Sequence, residues 1–198
     1  SKKKTIMLAT GASSFTDVVN AVNLIRKKNK KKVILMQCNT NYTNSSNNFN
    51  YINLKVLNQY KKFFGNKIIL GLSDHTPGHT TVLGAVTLGA KVVEKHFTDN
   101  NNRNGPDHKF SINPKTWKIM VDETRNLENA LGNGKKIIEK NEKQSAIIQR
   151  RGCWSARKIY KGEIFNKQMV KLLRPCPKQS ISPFLIEKYY GKKIKVTL

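Results

Sequence analysis

Apolar positions along the chain alternate between two textures. Short uninterrupted apolar runs at residues 5–8, 33–36 and 68–72, with another beginning at Val92 and Val93, read as buried strands. Between them apolar residues recur at helical spacing: Val18, Ala21, Val22 and Ile25; then Leu54, Leu57, Tyr60 and Phe64; then the small-residue stretch TTVLGAVTLGA; then Trp117, Met120, Val121, Thr124, Leu127 and Leu131. Punctuation agrees with these limits. Ser14 or Thr16 can cap the first helix, and Gly65-Asn66 ends the second. The order is strand then helix, four times over. This predicts an α/β fold with a parallel sheet covered on both faces. Two architectures fit, an open doubly wound sheet and part of a (β/α)8 barrel. Both put their chemistry at the carboxyl ends of the strands.

The texture changes near residue 132. Residues 133–149 have no clear period and read as a linker between a first domain, 1–132, and a small second one, 150–198. In the latter a strand is expected from Cys153 towards Ile159 and a helical turn capped by Asn166. A short helix opening at Ser182-Pro183 and a strand beginning in KKIKVTL complete the expectation. The chain begins without Met and enters a strand-like run almost at once, which reads as an internal starting point, and the second domain reads as cut short.

Composition narrows the partners. The 198 residues carry a formal charge of +25, mostly as lysines spread along the chain. Nucleic acid, an anionic membrane or an anionic substrate would each suit such a charge. Clustered arginines and interleaved stacking aromatics do not accompany it, so it reads as a solvated lysine surface with no nucleic-acid partner. No apolar run is long enough to span a bilayer, and no membrane partner is expected. The three cysteines, Cys38, Cys153 and Cys176, are far apart and outside any Cys-x-x-Cys arrangement, which suits a reducing cytoplasm. Glycine-rich phosphate loops are absent.

Chemistry concentrates between Gly71 and Ser111, in GLSDHTPGH, VVEKHFT and NGPDHKFS, which hold all four histidines. Ser73 and His75 follow the third strand, Glu94 and His96 end the fourth, and Thr40 and Tyr42 follow the second. Loops after neighbouring parallel strands face a common pocket. Two imidazoles with oxygen donors and open positions suit Mn, Fe, Co or Zn. Asp74 and Glu94 are candidates to orient those rings, or else to cap the next helices.

GLSDHTPG, GAKVVEKHFT and GPDHKFSI resemble the N-acetylneuraminate (sialic acid) synthase family. RRGCWSARKIYKGEIF, LLRP, ISPF and GKKI resemble the small antifreeze-like (SAF) domain, a β-clip, that follows the barrel in those enzymes. The resemblance implies the C-terminal half of a (β/α)8 TIM barrel plus a truncated SAF domain, working as a domain-swapped homodimer. It implies condensation of phosphoenolpyruvate with an N-acetylhexosamine, N-acetylmannosamine by preference, to N-acetylneuraminate and phosphate. It also implies a divalent metal, usually manganese, on His75 and His96. Ser73, Tyr42 and Thr40 would contact substrate, Asp107 the sugar, and Arg151 the partner's active site; Glu94 would handle a proton. His79 and His108 are not expected to be ligands. The family's S-T-G is Ala9-Thr10-Gly11 here, with Thr10 a possible substitute hydroxyl. Legionaminate or pseudaminate synthesis is the alternative within the family, and a non-catalytic sugar- or partner-binding remnant is the alternative outside it. The family's phosphate-binding lysines belong to the other half of the barrel, so the chain alone is expected to be inactive.

Overall fold

The computed structural model describes residues 4–29, 32–43 and 45–198. Residues 1–3 of the basic start, residues 30 and 31 of the basic run after the first helix, and Asn44 lie outside the described residues. The chain divides into two compact units, Ser1–Gly134 and Lys135–Leu198.

In the first unit the elements run β1 (Met7–Ala9), α1 (Phe15–Lys28), β2 (Val33–Cys38), α2 (Val56–Phe64), β3 (Ile68–Asp74), α3 (Thr80–Thr87), β4 (Val92–Lys95) and α4 (Pro114–Leu131). Ser14 caps α1 in a reciprocal box with Asp17, and Asn113 does the same for α4 with Thr116. The polar loop after β2 contains a 3-10 turn, Ser46–Tyr51, capped by Ser45.

All four strands are parallel and lie in chain order, β1-β2-β3-β4. The four helices pack against one face only. Val18 and Val22 of α1, Leu57, Tyr60 and Phe64 of α2, Val82 and Ala85 of α3 and Met120 of α4 share one core with Leu8, Val33, Leu35, Ile68, Leu70, Leu72 and Val93. Those strand residues are alternate positions within each strand and lie opposite one another in register, so they point the same way. This corrects the expectation of a sheet covered on both faces, and it decides between the two architectures. A doubly wound sheet reverses its strand order and carries helices on both sides. Sequential order with helices on one side is the wall of a barrel. The first run is likewise less buried than its apolar sequence suggests: Met7 and Ala9 point away from the helices and are exposed.

Opposite the helices the wall is closely fitted. A Cβ on Gly71 would stand 2.6 Å from Met36 Cγ and 3.0 Å from the Val92 carbonyl, so Met36 lies directly over that glycine. At the top of β1, a Cβ on Gly11 would collide with Thr40 Cγ2. The Thr10 hydroxyl donates to the Met36 carbonyl at 2.9 Å and accepts from Tyr60 Oη at 3.0 Å. It is therefore buried on the helix side and tied into the scaffold, which removes it as a substitute phosphate-binding hydroxyl.

The second unit has its own small core of Ile159, Phe165, Met169 and Ile186. A two-stranded antiparallel ladder joins β5 (Gly152–Ser155) to β6 (Val170–Leu173). The stretch read as a linker holds a 3-10 turn, Lys140–Glu142, and the short helix α5 (Lys143–Ile148), whose Ile147 carbonyl accepts from the Cys176 amide at 2.8 Å. Asn166 caps a turn as expected, accepting from the Gln168 amide at 3.0 Å. In place of the expected strand, the chain's final segment bridges Lys193 to Ile164 and exchanges two backbone bonds between Leu198 and Ile159.

Glu163 organises one turn of this unit. It binds Arg157 at 2.6 Å and accepts from the Tyr160 amide at 2.7 Å. The Arg157 guanidinium, then that amide, hold its carboxyl down to about 2. A depressed folded-state pKa stabilises above the unfolded value and loses that contribution as pH falls through the folded one. The melting-temperature difference between the native chain and Glu163→Gln should therefore be constant at neutral pH, shrink below about pH 4.5 and be gone near pH 2. A difference that does not change across this range would refute the assignment.

Candidate active site

Strand parity places the site. On β3, Gly71 and Ser73 point away from the helices and His75 continues that side; on β4, Val92 and Glu94 do so, continued by His96. Ser73 sits opposite Glu94 in register, and its hydroxyl donates to Glu94 Oε2 at 2.7 Å. The two histidine rings approach to 5.0 Å between centroids, inclined at 66°. Tyr42 lies against both, 4.4 Å from His75 and 5.6 Å from His96. Phe110, buried, closes the cluster at 4.9 Å from His96.

The ring nitrogens have defined partners. His75 Nδ1 lies 2.7 Å from the Asn39 carbonyl, which can only accept, so Nδ1 donates and Nε2 carries the lone pair of the neutral ring. His96 Nδ1 lies 3.5 Å from Asp107 Oδ2. An oxygen acceptor behind an imidazole, as at His75, fixes the tautomer and ring orientation of metal-binding histidines; at His96 the carboxylate is near without a hydrogen bond. The Cys38 thiol beside His75 raises its pKa above the ordinary imidazole value; burial opposes this and the Asn39 carbonyl adds to it.

These groups fit a divalent ion. Two imidazoles at about 2.1 Å from one ion and roughly at right angles hold their centroids about 5 Å apart, the separation found here. No three His, Cys, Asp or Glu side chains among the described residues converge on one point. An ion held here would take two nitrogens from this chain, with its remaining positions open to water or substrate.

Asp74 and Glu94 do not orient the imidazoles. Asp74 points to the helix side, where its carboxylate meets Lys95 Nζ at 2.6 Å and the Thr81 hydroxyl at 2.6 Å. Glu94 is taken by Ser73. The acceptor for His75 is instead the Asn39 backbone carbonyl, and the carboxylate nearest His96 is Asp107. A backbone carbonyl leaves no trace in a sequence, and Phe110 shows there only as one apolar residue in a polar loop. Thr40 is exposed, with its methyl against Gly11. His79 supplies the backbone cap of α3, and His108 Nδ1 bonds Thr98 Oγ1 at 2.7 Å, so neither joins the histidine pair. Arg151 belongs to the second unit. It is exposed beside Arg150 on the wall of a groove of about 1020 Å³ also lined by Ile147, Leu172 and Phe184. No helix among the described residues is long and apolar enough to cross a membrane.

Comparison with known proteins gives this cluster a setting. The NeuB family model matches residues 1–136. An N,N'-diacetyllegionaminic acid synthase of Campylobacter jejuni is 37% identical over 191 residues, covering 96% of this chain and 55% of the relative. Human N-acetylneuraminate-9-phosphate synthase is 29% identical over 197 residues, covering 100% of this chain and 53% of the relative. The crystal structure of the N-acetylneuraminic acid synthetase of Leptospira borgpetersenii, solved with citrate, superposes with a TM-score of 0.61 at 30% identity. It covers 71% of this chain and 47% of that one. The chain spans about half the length of the curated relatives it matches. With a family model covering more than half of its residues and a wall of parallel strands to match, the chain belongs to the NeuB family.

Proposed function

We propose that this chain supplies the metal-binding, sugar-facing half of a synthase that joins phosphoenolpyruvate to the aldehyde of an N-acetylhexosamine. The paired imidazoles of His75 and His96 under the Tyr42 ring carry this reading. They are the donors for a divalent ion, manganese by family resemblance, which when bound would polarise the sugar aldehyde as a Lewis acid. Tyr42 and Phe110 shield the cluster and offer an apolar wall to the substrate. Ser73 offers a hydroxyl to the carboxylate or phosphate of phosphoenolpyruvate once that anion displaces Glu94 from it. Asp107 steadies His96 and reaches a sugar hydroxyl. As C3 of phosphoenolpyruvate bonds to the aldehyde carbon, the carbonyl pair moves to oxygen and takes up a proton. Water then adds to C2 and the C2–phosphate bond breaks. Glu94 serves as the base that accepts the water's proton on this reading. The carbon nucleophile is weak, so holding the two reactants in line is a large part of the rate.

The second unit is, on this reading, an SAF-type domain of a domain-swapped dimer, presenting Arg151 to the partner's site. N-acetylmannosamine is the first sugar to test on this reading, and a diacetamido hexose, as for legionaminate or pseudaminate synthesis, is the alternative; relatives named for the latter two products are 37% and 30% identical to this chain. The test is a chimera in which these 198 residues replace the matching segment of the Campylobacter relative. Phosphate release from phosphoenolpyruvate is then followed with each sugar, with and without manganese. Manganese-dependent turnover with either sugar is expected. A folded, metal-loaded chimera inert with both would overturn the proposal. The chain by itself is expected to be inactive. Turnover within about tenfold of the chimera, a barrier difference of roughly 1.4 kcal/mol, would show that the rest of the barrel is dispensable.

A further inference from the structure

One charged pair lies outside the chemistry described so far. Lys95 and Asp74 meet at 2.6 Å with their side chains 3% and 0% exposed, on the helix-facing side of β4 and β3. The carboxylate is saturated. Oδ2 accepts from Lys95 Nζ and Thr81 Oγ1, and Oδ1 accepts from the Thr76 amide at 3.1 Å and the Thr76 hydroxyl at 2.9 Å. Lys95 Nζ also donates to the Thr76 carbonyl at 2.8 Å. Asp74 and Lys95 are opposite one another in register.

The covalent neighbours give this network its meaning. Asp74 precedes His75, Thr76 follows it, and Lys95 precedes His96. The bonds therefore grip the backbone on both sides of one histidine and immediately before the other. They also tie β3 to β4 at the last residues where the two strands are paired. A buried ion pair is a poor device for stability, since desolvating both charges offsets most of the attraction between them. Its better-attested use is to fix one register among several. A one-residue slip of β3 would turn Asp74 to the opposite side of the sheet and leave Lys95 buried without it, so the pair admits a single register.

We infer that the Asp74–Lys95 pair, with Thr76 and Thr81, is a positioning device. From behind the sheet it sets the separation and facing of His75 and His96 before any ligand arrives. The inference deepens the proposed function and rests on it only where metal affinity is the readout.

The experiment compares the native chain with Asp74→Leu/Lys95→Met, which replaces the pair by apolar groups of similar size, and with Lys118→Met, which removes an exposed pair elsewhere. Thermal unfolding, manganese affinity by electron paramagnetic resonance, and the imidazole NMR signals of His75 and His96 in the metal-free chain are measured. In the double variant, unfolding is expected to stay near the native value. Manganese affinity should fall 10–100-fold, as when partners behind metal-binding histidines are removed. The ring signals, shifted in the native chain by Tyr42 and Phe110, should move or broaden. Lys118→Met should change none of these. A folded double variant with native ring signals and affinity within twofold overturns the inference. A native chain that binds no manganese sinks the metal reading alone, because the metal-free ring signals still decide this one. Should the double variant fail to fold, Thr81→Val removes one bond to the carboxylate without stranding a charge. Moved ring signals then support the inference and unmoved ones overturn it.

Discussion

His75→Ala should lose divalent metal binding by more than about 100-fold, beyond the 10–100-fold typical when only a partner behind the ligand is removed. The ring is one of two nitrogen donors, and no group of three histidine, cysteine, aspartate or glutamate side chains among the described residues offers another site. Its removal also frees the Asn39 carbonyl from a 2.7 Å bond, costing about 1 kcal/mol, too little to unfold the unit. Far-UV dichroism should thus be unchanged while a manganese titration goes flat. His79→Ala is the control, because that residue contributes only a backbone cap to α3. Native affinity in His75→Ala, or its loss in His79→Ala, would reverse the ligand assignment.

The second large effect is on the fold. Leu35 is fully buried at the centre of β2, on the side where all four helices meet the sheet. Leu35→Ala removes its transfer energy and leaves a cavity bounded by neighbouring strands, which relax little. The expected cost is about 2–5 kcal/mol, a large part of the roughly 5–15 kcal/mol typical of a domain. Leu24→Ala, at a side chain 58% exposed on α1, should cost less than about 0.5 kcal/mol. Urea unfolding of the two variants distinguishes them. A Leu35→Ala midpoint close to that of Leu24→Ala would mean that the core lies elsewhere.

The element order was legible because each strand is an apolar run and each helix has a face. Ser14 and Asn113 also carry side chains suited to a cap. The meeting of His75 with His96 was legible from parallel strands, whose following loops converge. The covered face was not. β2 is apolar at both parities, Val33 and Leu35 on one side and Ile34 and Met36 on the other, so its pattern is the same whether helices lie on one side or two. The roles of Asp74 and Glu94 were hidden for a related reason. Asp74 adjoins His75, and adjacency in a strand means opposite sides, so it turns its back on the ring. Glu94, two residues from His96, shares its side but finds Ser73 across the register. In the second unit, short 3-10 turns and a four-residue ladder leave too few positions to show a period, which is how α5 passed for linker.

Because the working groups sit on alternate residues, odd-numbered in β3 and even-numbered in β4, the wall has a reading frame. Substitutions at Ser73 or Glu94 can retune the chemistry while leaving the packing of Leu72 or Val93 untouched, so the two sides are free to diverge separately. A single-residue insertion between Ile68 and Ser73 has no such freedom. It would turn Asp74 and its ion-pair network into the cavity and bury the serine and histidine against the helices. Change in this region of the protein is thus confined to replacement, and gains or losses of residues are confined to the loops at either end of the strands.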